Sequence, residues 1–298
     1  MGPSLYNFSN SSFIKASLVS LRPKDLLACK REGRQILMLT AWDALSGALL
    51  AGAGVDAVLV GDSLAMVVLG HATTLPVTLD EMLHHCRAVG RGLVWPVQRN
   101  PIDEGRVRHP LLICDLPFLS YQCGADDAVA AAGRVLKESP AMAVKLEGAE
   151  VETLTVVDRM VRSGIPVMGH LGLTPQSVHR IGYRRQATDP ISQERLRRQA
   201  LSLEGAGCFA LVLEHVPANL AGDLRGRLSI PVIGIGAGEE CDGQVRVTAD
   251  LLGLSHHQPP FSPPLLDGHS LAVTALRGWV KEKRGTPTTR EVPSEPHC

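Results

Sequence analysis

An α/β fold, and within it a closed (β/α)8 barrel, follows from three features of the sequence. Six short apolar runs end abruptly in polar residues: VLVGDS (58–63), LLICDLPF (111–118), AVKLEG (143–148), PVMGHLG (166–172), LVLEHVP (211–217) and PVIGIGAG (231–238). Runs of this length bounded by turn residues read as strands buried on both faces of a parallel sheet. Helical patterns alternate with them, as βαβ units require. The chain has 298 residues, which fits one barrel of about 250 residues plus extensions, or two smaller domains. A doubly wound open sheet shares the alternation, but eight units in about 250 residues favour closure.

Taken in order, a short helix over 25–34 precedes strand one, ILMLTAWD (36–43). The spacing of Leu45, Leu49 and Leu50 predicts a helix over 44–54 that stops at Gly54. Strand two covers 56–63. The helix over 78–91 opens on Thr78, with Glu81 three residues later completing a capping box. Strand three takes 111–115, a helix 125–138 and strand four 143–147. A helix over 151–163 ends before Gly164 and leads to strand five at 166–169. Helices over 192–204 and 217–228 precede strands six (209–214) and seven (231–236), and 245–247 supplies the eighth. The segment 92–110, with Pro96, Pro101 and Pro110, is long for a connection that usually takes about 2–6 residues. Because it precedes a strand, it belongs at the bottom of the barrel. The expected organisation is a barrel over 23–280 with an inserted loop at about 92–110, a disordered extension over 1–22 and a polar, disordered tail over 281–298.

Lys and Arg number 30, as do Asp and Glu, so the formal charge is zero. That offers no basic footprint for nucleic acid or an anionic membrane. Seven cysteines, an odd count with no C-x-x-C pair, argue against a disulfide framework or zinc ribbon and for reduced thiols in the cytoplasm. No apolar run approaches the roughly 18 residues that span a bilayer. Residues 1–24 are Ser-rich with Lys15, Arg22 and Lys24 and no acid. An organellar presequence would add an Arg-rich amphipathic pattern that is missing here.

The polar residues at the strand ends carry the chemistry. Asp62, Asp115 and Glu147 end strands two, three and four, so a barrel brings them to one mouth. Packed together they would repel unless a cation sat between them. All-oxygen ligation favours a hard ion, magnesium first. The alternative is that each acid caps the following helix or pairs with a lysine. Lys145 lies two residues before Glu147, so both point inward. It either steadies a substrate anion or forms a salt bridge with Asp115 or Glu147. Glu214 ends strand six between Leu213 and Val216. Partial desolvation there suits a general base. His170 is a competing base or a structural histidine. Gly234-Ile-Gly-Ala-Gly238 lacks the spacing of a dinucleotide loop and instead lets a substrate approach the backbone.

Taken together, the motifs MLTAWD, VGDSLAMVVLGH, TTLPVTLDEM, DLPF, VKLEG, PVMGHLGLTPQSVH, LVLEHVP and IPVIGIGAGEECDGQV closely resemble the ketopantoate hydroxymethyltransferase family from about residue 24 to 254. The resemblance implies a TIM barrel of the phosphoenolpyruvate/pyruvate type and a homo-oligomer. The implied activity transfers a hydroxymethyl group from 5,10-methylenetetrahydrofolate to 3-methyl-2-oxobutanoate in pantothenate synthesis. It further implies one Mg²⁺ on Asp62, Asp115 and Glu147, oxoacid contacts from Asp62, Ser63, Asp115 and Lys145, and Glu214 as proton acceptor. His170 would orient a group at the metal or the enolate oxygen. The chain departs from the family pattern at Ala65, His215, Ala249 and in the loop 181–188. A lyase or phosphonate mutase of the same barrel group, and a catalytically inert barrel, are the alternatives at this point. In that altered loop, Arg184 and Arg185 lie on the mouth side and are expected to attract an acidic tail of the cosubstrate. Replacing both with alanine should raise the cosubstrate KM several-fold at low ionic strength and less at high salt. An unchanged low-salt KM would refute this.

Overall fold

The computed structural model describes residues 19–95, 108–256 and 258–285. They fall into two compact units divided between Arg246 and Val247. The first contains a closed barrel of eight parallel strands: β1 (Ile36–Thr40), β2 (Ala57–Val60), β3 (Leu111–Asp115), β4 (Ala143–Glu147), β5 (Val167–Gly172), β6 (Ala210–Glu214), β7 (Val232–Ile235) and β8 (Gly243–Arg246). Neighbours in sequence are neighbours in the barrel, and β8 closes on β1. The strand–helix alternation therefore resolves in favour of closure.

The helices of this unit are α1 (Pro23–Glu32), α2 (Ala44–Ala53), α3 (Leu64–Val67), α4 (Leu79–Leu93), α5 (Ala125–Glu138), α6 (Val151–Arg162), α7 (Val178–Ile181), α8 (Pro190–Gly205) and α9 (Ala218–Arg227). Their ends follow local chemistry. On α4, Glu81 N donates to Thr78 Oγ1 at 3.3 Å and Thr78 N to Glu81 Oε2 at 2.8 Å, so the expected capping box forms. On α8, Asp189 accepts from the backbone N–H groups of Ile191 and Ser192.

Side chains alternate along each strand. One set faces the helices and builds the larger core with Leu83, Val157, Leu203 and Leu224. The other set fills the barrel: Ile36 and Met38, Ala57 and Leu59, Leu111 and Ile113, Ala143, Met168, Ala210 and Val212, Ile233 and Val245. Leu26 and Cys29 of α1, with Leu21, join this interior cluster and plug the N-terminal end of the barrel. Asp242 secures the same end. It pairs with Lys30 at 2.7 Å and Arg225 at 3.0 Å and accepts from Val232 N at 2.9 Å.

Several expected boundaries move. β8 begins at Gly243, two residues earlier than its apolar residues indicate. A Cβ at Gly243 would stand 2.3 Å from Ile36 O, so glycine permits the close pairing with β1. β2 stops at Val60, and Ser63 opens the unexpected short helix α3. Of the extension over 1–22, Val19–Ser20 pairs in parallel with Arg108–His109, and residues 1–18 lie outside the described residues. The segment 92–110 begins within α4 and ends in that strand pair, with 96–107 outside the described residues. The second unit holds α10 (Thr248–Leu251) and α11 (Gly268–Gly285). Residues 281–285 are therefore helical, against the expected tail, and 286–298 lie outside the described residues. Among the described residues no helix is long and apolar enough to cross a membrane.

Two glycines bring α2 and α4 into backbone contact. A Cβ at Gly92 would lie 2.0 Å from Ala44 O, and one at Gly47 would lie 2.7 Å from Val89 O. Gly92→Ala should therefore cost about 1–3 kcal/mol or more in urea denaturation, because the helices must separate. Gly133→Ala, where a Cβ would meet nothing within 4 Å, should be neutral or stabilising. Equal effects would contradict this packing.

Candidate active site

In β3, β4, β5 and β6 the inward-facing series turns polar toward the C-terminal end. Above Ile113 stands Asp115, above Ala143 stand Lys145 and Glu147, above Met168 stands His170, and above Val212 stands Glu214. Pairing sets Asp115 beside Lys145 and Glu147 beside His170. Asp62 lies just past β2, and its backbone N–H donates to Asp115 Oδ2 at 3.0 Å. Ser63 follows it. A Cβ on Gly61 would stand 3.2 Å from Ser63 Oγ and 3.5 Å from Asp115 Oδ2, so Gly61 keeps this corner open. All the residues singled out for chemistry thus meet at the C-terminal mouth.

The contacts form a line. Lys145 Nζ is 2.8 Å from Asp115 Oδ1 and 3.4 Å from His170 Nδ1. That same Nδ1 is 3.4 Å from Glu147 Oε1, and His170 Nε2 is 3.2 Å from Glu214 Oε2. Asp115, Lys145, Glu147 and His170 are buried, while the Glu214 side chain keeps 15% exposure. His170 couples Glu214 to Glu147.

Charge governs the protonation states. Burial, reinforced by the carboxylates of Asp115 and Glu147, pushes Asp62 up to about 8 against the pull of Lys145 and Gln176. Burial also raises Asp115, although Lys145 offsets part of the effect. For Lys145, burial alone would lower the pKa, but Asp115, Glu147 and Asp62 outweigh it and raise it. His170 follows the same pattern. Burial and Lys145 press it down, and the carboxylates of Glu147 and Glu214 lift it to about 9. The ring is protonated near neutral pH.

Four carboxylates (Asp62, Asp115, Glu147, Glu214) face two bases (Lys145, His170). With all four ionised, four minus two leaves an excess of two negative charges, which a divalent cation would cancel. Without one, Asp62, raised to about 8, carries a proton near neutral pH and relieves part of that excess. Yet among the described residues no three His, Cys, Asp or Glu side chains are gathered closely enough to hold a metal ion by themselves. The expectation of three acids already closed round one ion is not met. Magnesium is commonly held by one or two carboxylates, with water and substrate oxygens completing its shell. The adjacent Asp62 and Asp115, both oxygen donors in a negative pocket, suit such an open site.

A polar network that sequence reasoning missed lies behind the acids. Gln176 Nε2 donates to Asp62 Oδ2 and Leu116 O, each at 2.9 Å, and Gln176 N donates to Glu147 Oε2 at 3.0 Å. Tyr121 OH donates to Gln176 Oε1 at 2.9 Å and accepts from Glu147 N at 3.1 Å. Neither residue ends a strand, so the pattern that exposed the acids was silent about them. At the rim, Arg184 is exposed and the Arg185 guanidinium donates to Val216 O at 3.3 Å.

Comparison with known proteins follows the same line. Residues 20–287 match the family model described as ketopantoate hydroxymethyltransferase. A 3-methyl-2-oxobutanoate hydroxymethyltransferase of Synechococcus sp. (strain CC9902) is 66% identical over 93% of this chain and 100% of its own length. That of Parasynechococcus marenigrum (strain WH8102) is 67% identical over 93% and 99%. Among solved structures, phosphonopyruvate hydrolase in complex with oxalate and Mg²⁺ superposes with a TM-score of 0.57 at 13% identity, covering 93% of this chain and 92% of that one. Phosphoenolpyruvate phosphomutase from Streptomyces platensis subsp. rosaceus gives 0.57, 13%, 93% and 92%. At such identity these two share the fold alone.

The position of His170 between two carboxylates has a measurable consequence. In the metal-free protein its imidazole should titrate by NMR near pH 9, and Glu214→Gln should move the midpoint toward the usual histidine range. A pKa raised on folding contributes stability below about pH 6.5 that is lost as pH rises through about 9. A midpoint indifferent to Glu214→Gln would exclude the His170–Glu214 interaction.

Proposed function

The chain belongs to the ketopantoate hydroxymethyltransferase family, and from that premise we propose that it transfers a hydroxymethyl group from 5,10-methylenetetrahydrofolate to 3-methyl-2-oxobutanoate. The product is 2-dehydropantoate. It is an enzyme, a transferase of pantothenate synthesis. The observation that carries the mechanistic reading is the line Asp115–Lys145–His170–Glu214 at one barrel mouth.

Asp62 and Asp115, with Glu147 as third acid, would hold a magnesium ion in this reading. The ion would supply a Lewis acid for the oxoacid's carboxylate and keto oxygens. Asp62, Ser63, Asp115 and Lys145 line the position of the oxoacid. Glu214 removes the proton from the carbon next to the keto group. The protonated His170, 3.2 Å away, holds and orients that carboxylate. The Lys145 ammonium, held by Asp115, steadies the negative charge that develops on the enolate oxygen. Water opens the one-carbon unit: both carbon–nitrogen bonds to the folate break, giving formaldehyde and tetrahydrofolate. The enolate carbon attacks the formaldehyde carbon, and the resulting alkoxide takes back the proton held by Glu214 to become the hydroxymethyl group. Buried, unpaired thiols at Cys29, Cys86, Cys114, Cys208 and Cys241 support a cytoplasmic site of action. Apolar side chains exposed on α11, Leu271, Leu276 and Trp279, support a homo-oligomer.

The test uses purified protein with 3-methyl-2-oxobutanoate, with and without magnesium and methylenetetrahydrofolate. Turnover should require both. Glu214→Gln should lower kcat by about 10²–10⁴ and equally slow exchange of the oxoacid's carbon-bound proton with deuterium when folate is omitted. Exchange that persists in Glu214→Gln would assign the base elsewhere, and turnover without folate would refute the proposed donor.

A further inference from the structure

The network behind the acids bears on which cation the mouth accepts, an inference that rests on the reading of Asp62, Asp115 and Glu147 as a cation site. Gln176 has its hydrogen-bonding capacity fully engaged. Its two amide protons go to Asp62 Oδ2 and Leu116 O, and its carbonyl accepts from Tyr121 OH and, at 3.2 Å, from Gln122 Nε2. The direction of the amide is fixed from outside. Glu147 N donates to the Tyr121 oxygen at 3.1 Å, and the phenolic OH lies nearer to Gln176 Oε1, at 2.9 Å, than to its other acceptor Glu147 O, at 3.3 Å. That turns the amide NH₂ toward Asp62. The backbone N–H of Gln176 meanwhile holds Glu147 Oε2. One residue thus anchors one oxygen of each of two acids that come from different strands, and it does so while buried.

We infer that Gln176 is a positioning residue that sets metal selectivity, by fixing the rotation of Asp62 and Glu147 so that neither can swing both oxygens onto one cation. Asp115 is fixed in rotation too, and more fully, with Oδ2 accepting from Asp62 N and Oδ1 against Lys145. Single-oxygen ligation suits the small octahedral shell of Mg²⁺, whereas Ca²⁺ gains from carboxylates that can swing to give both oxygens. A side chain that holds the ligands without touching the ion acts on affinity by about 10–100-fold.

Calorimetric titration of the full chain with MgCl₂ and with CaCl₂, without substrate, tests this. The wild-type protein should prefer Mg²⁺. Gln176→Met keeps the volume and removes the amide, and it should lower the ratio of Mg²⁺ to Ca²⁺ affinity about tenfold, with thermal unfolding showing an intact fold. Tyr121→Phe removes the group that orients the amide and should shift the ratio the same way by less. If both affinities fall in parallel, or neither changes, Gln176 is a structural strut and the inference is overturned while the cation site stands. Should wild type bind neither ion, the cation reading fails and takes this inference with it. Where Gln176→Met does not fold, Tyr121→Phe decides: a shifted ratio supports the assignment and an unchanged one overturns it.

Discussion

Buried negative charge in excess of its local counter-charge is the constraint on which the rest of this molecule depends. The two ends of the barrel treat acids differently. At the bottom, Asp242 meets Lys30 and Arg225, and Asp56 meets Arg34 while accepting from Leu37 N. Those acids are neutralised, and they fasten the α1 plug and the strand starts. At the mouth, four acids share one lysine and one histidine. Burying such a cluster opposes folding, and the protein counters it only in part. Burial, with the neighbouring carboxylates, raises Asp62, and the carboxylates of Glu147 and Glu214 raise His170 against burial and Lys145.

The apolar layers below make this charge effective. Ile113, Ala143, Met168 and Val212 fill the barrel directly beneath the acids, so the mouth sits on a dry floor. Electrostatic interactions are stronger there than in water. The same floor sets geometry, because a side chain one pleat above a packed layer has little freedom to relocate. Asp115, Lys145 and Glu147 inherit their mutual positions from strand register rather than from loop conformation.

That inheritance explains what could be read from the sequence. Period-two alternation within LLICD, AVKLE, VMGHLG and ALVLE carries the interior set from apolar to polar, so the acids, Lys145, His170 and Glu214 were legible as one constellation. Capping chemistry gave α4, and uninterrupted helical spacing gave α5 over 125–138 as observed. Where the signal was nonlocal it failed. Gln176 reaches an acid 114 positions away from a turn with no periodic pattern, and nothing in its neighbourhood announces the contact. Similarly, Gly92 reads as an ordinary helix glycine until Ala44 O is found 2.0 Å from its missing Cβ. α11 follows a His- and Pro-rich stretch that hides its start, although Asp267 Oδ1 accepts from Ser270 N as a helix cap would.

Backbone contacts around Glu214 explain how the altered loop at 181–188 can coexist with an undisturbed Glu214. Leu173 N donates to Glu214 O at 2.8 Å, and the adjacent Gly172, at φ +94°, leaves space where a Cβ would lie 2.2 Å from that same oxygen. On the other side His215 N donates to Ile235 O at 2.8 Å, with His215 held at φ +49°. A non-glycine residue there stores about 1–2 kcal/mol of strain, so the flanking contacts must outweigh it. The loop itself reaches the strand end through Gln186 N to His215 O and Arg185 to Val216 O, both beyond Glu214. Glu214 is therefore fixed by β5 and β7, and the loop attaches after it. Substitutions in the loop can reshape what lies above the mouth while Glu214 keeps its place.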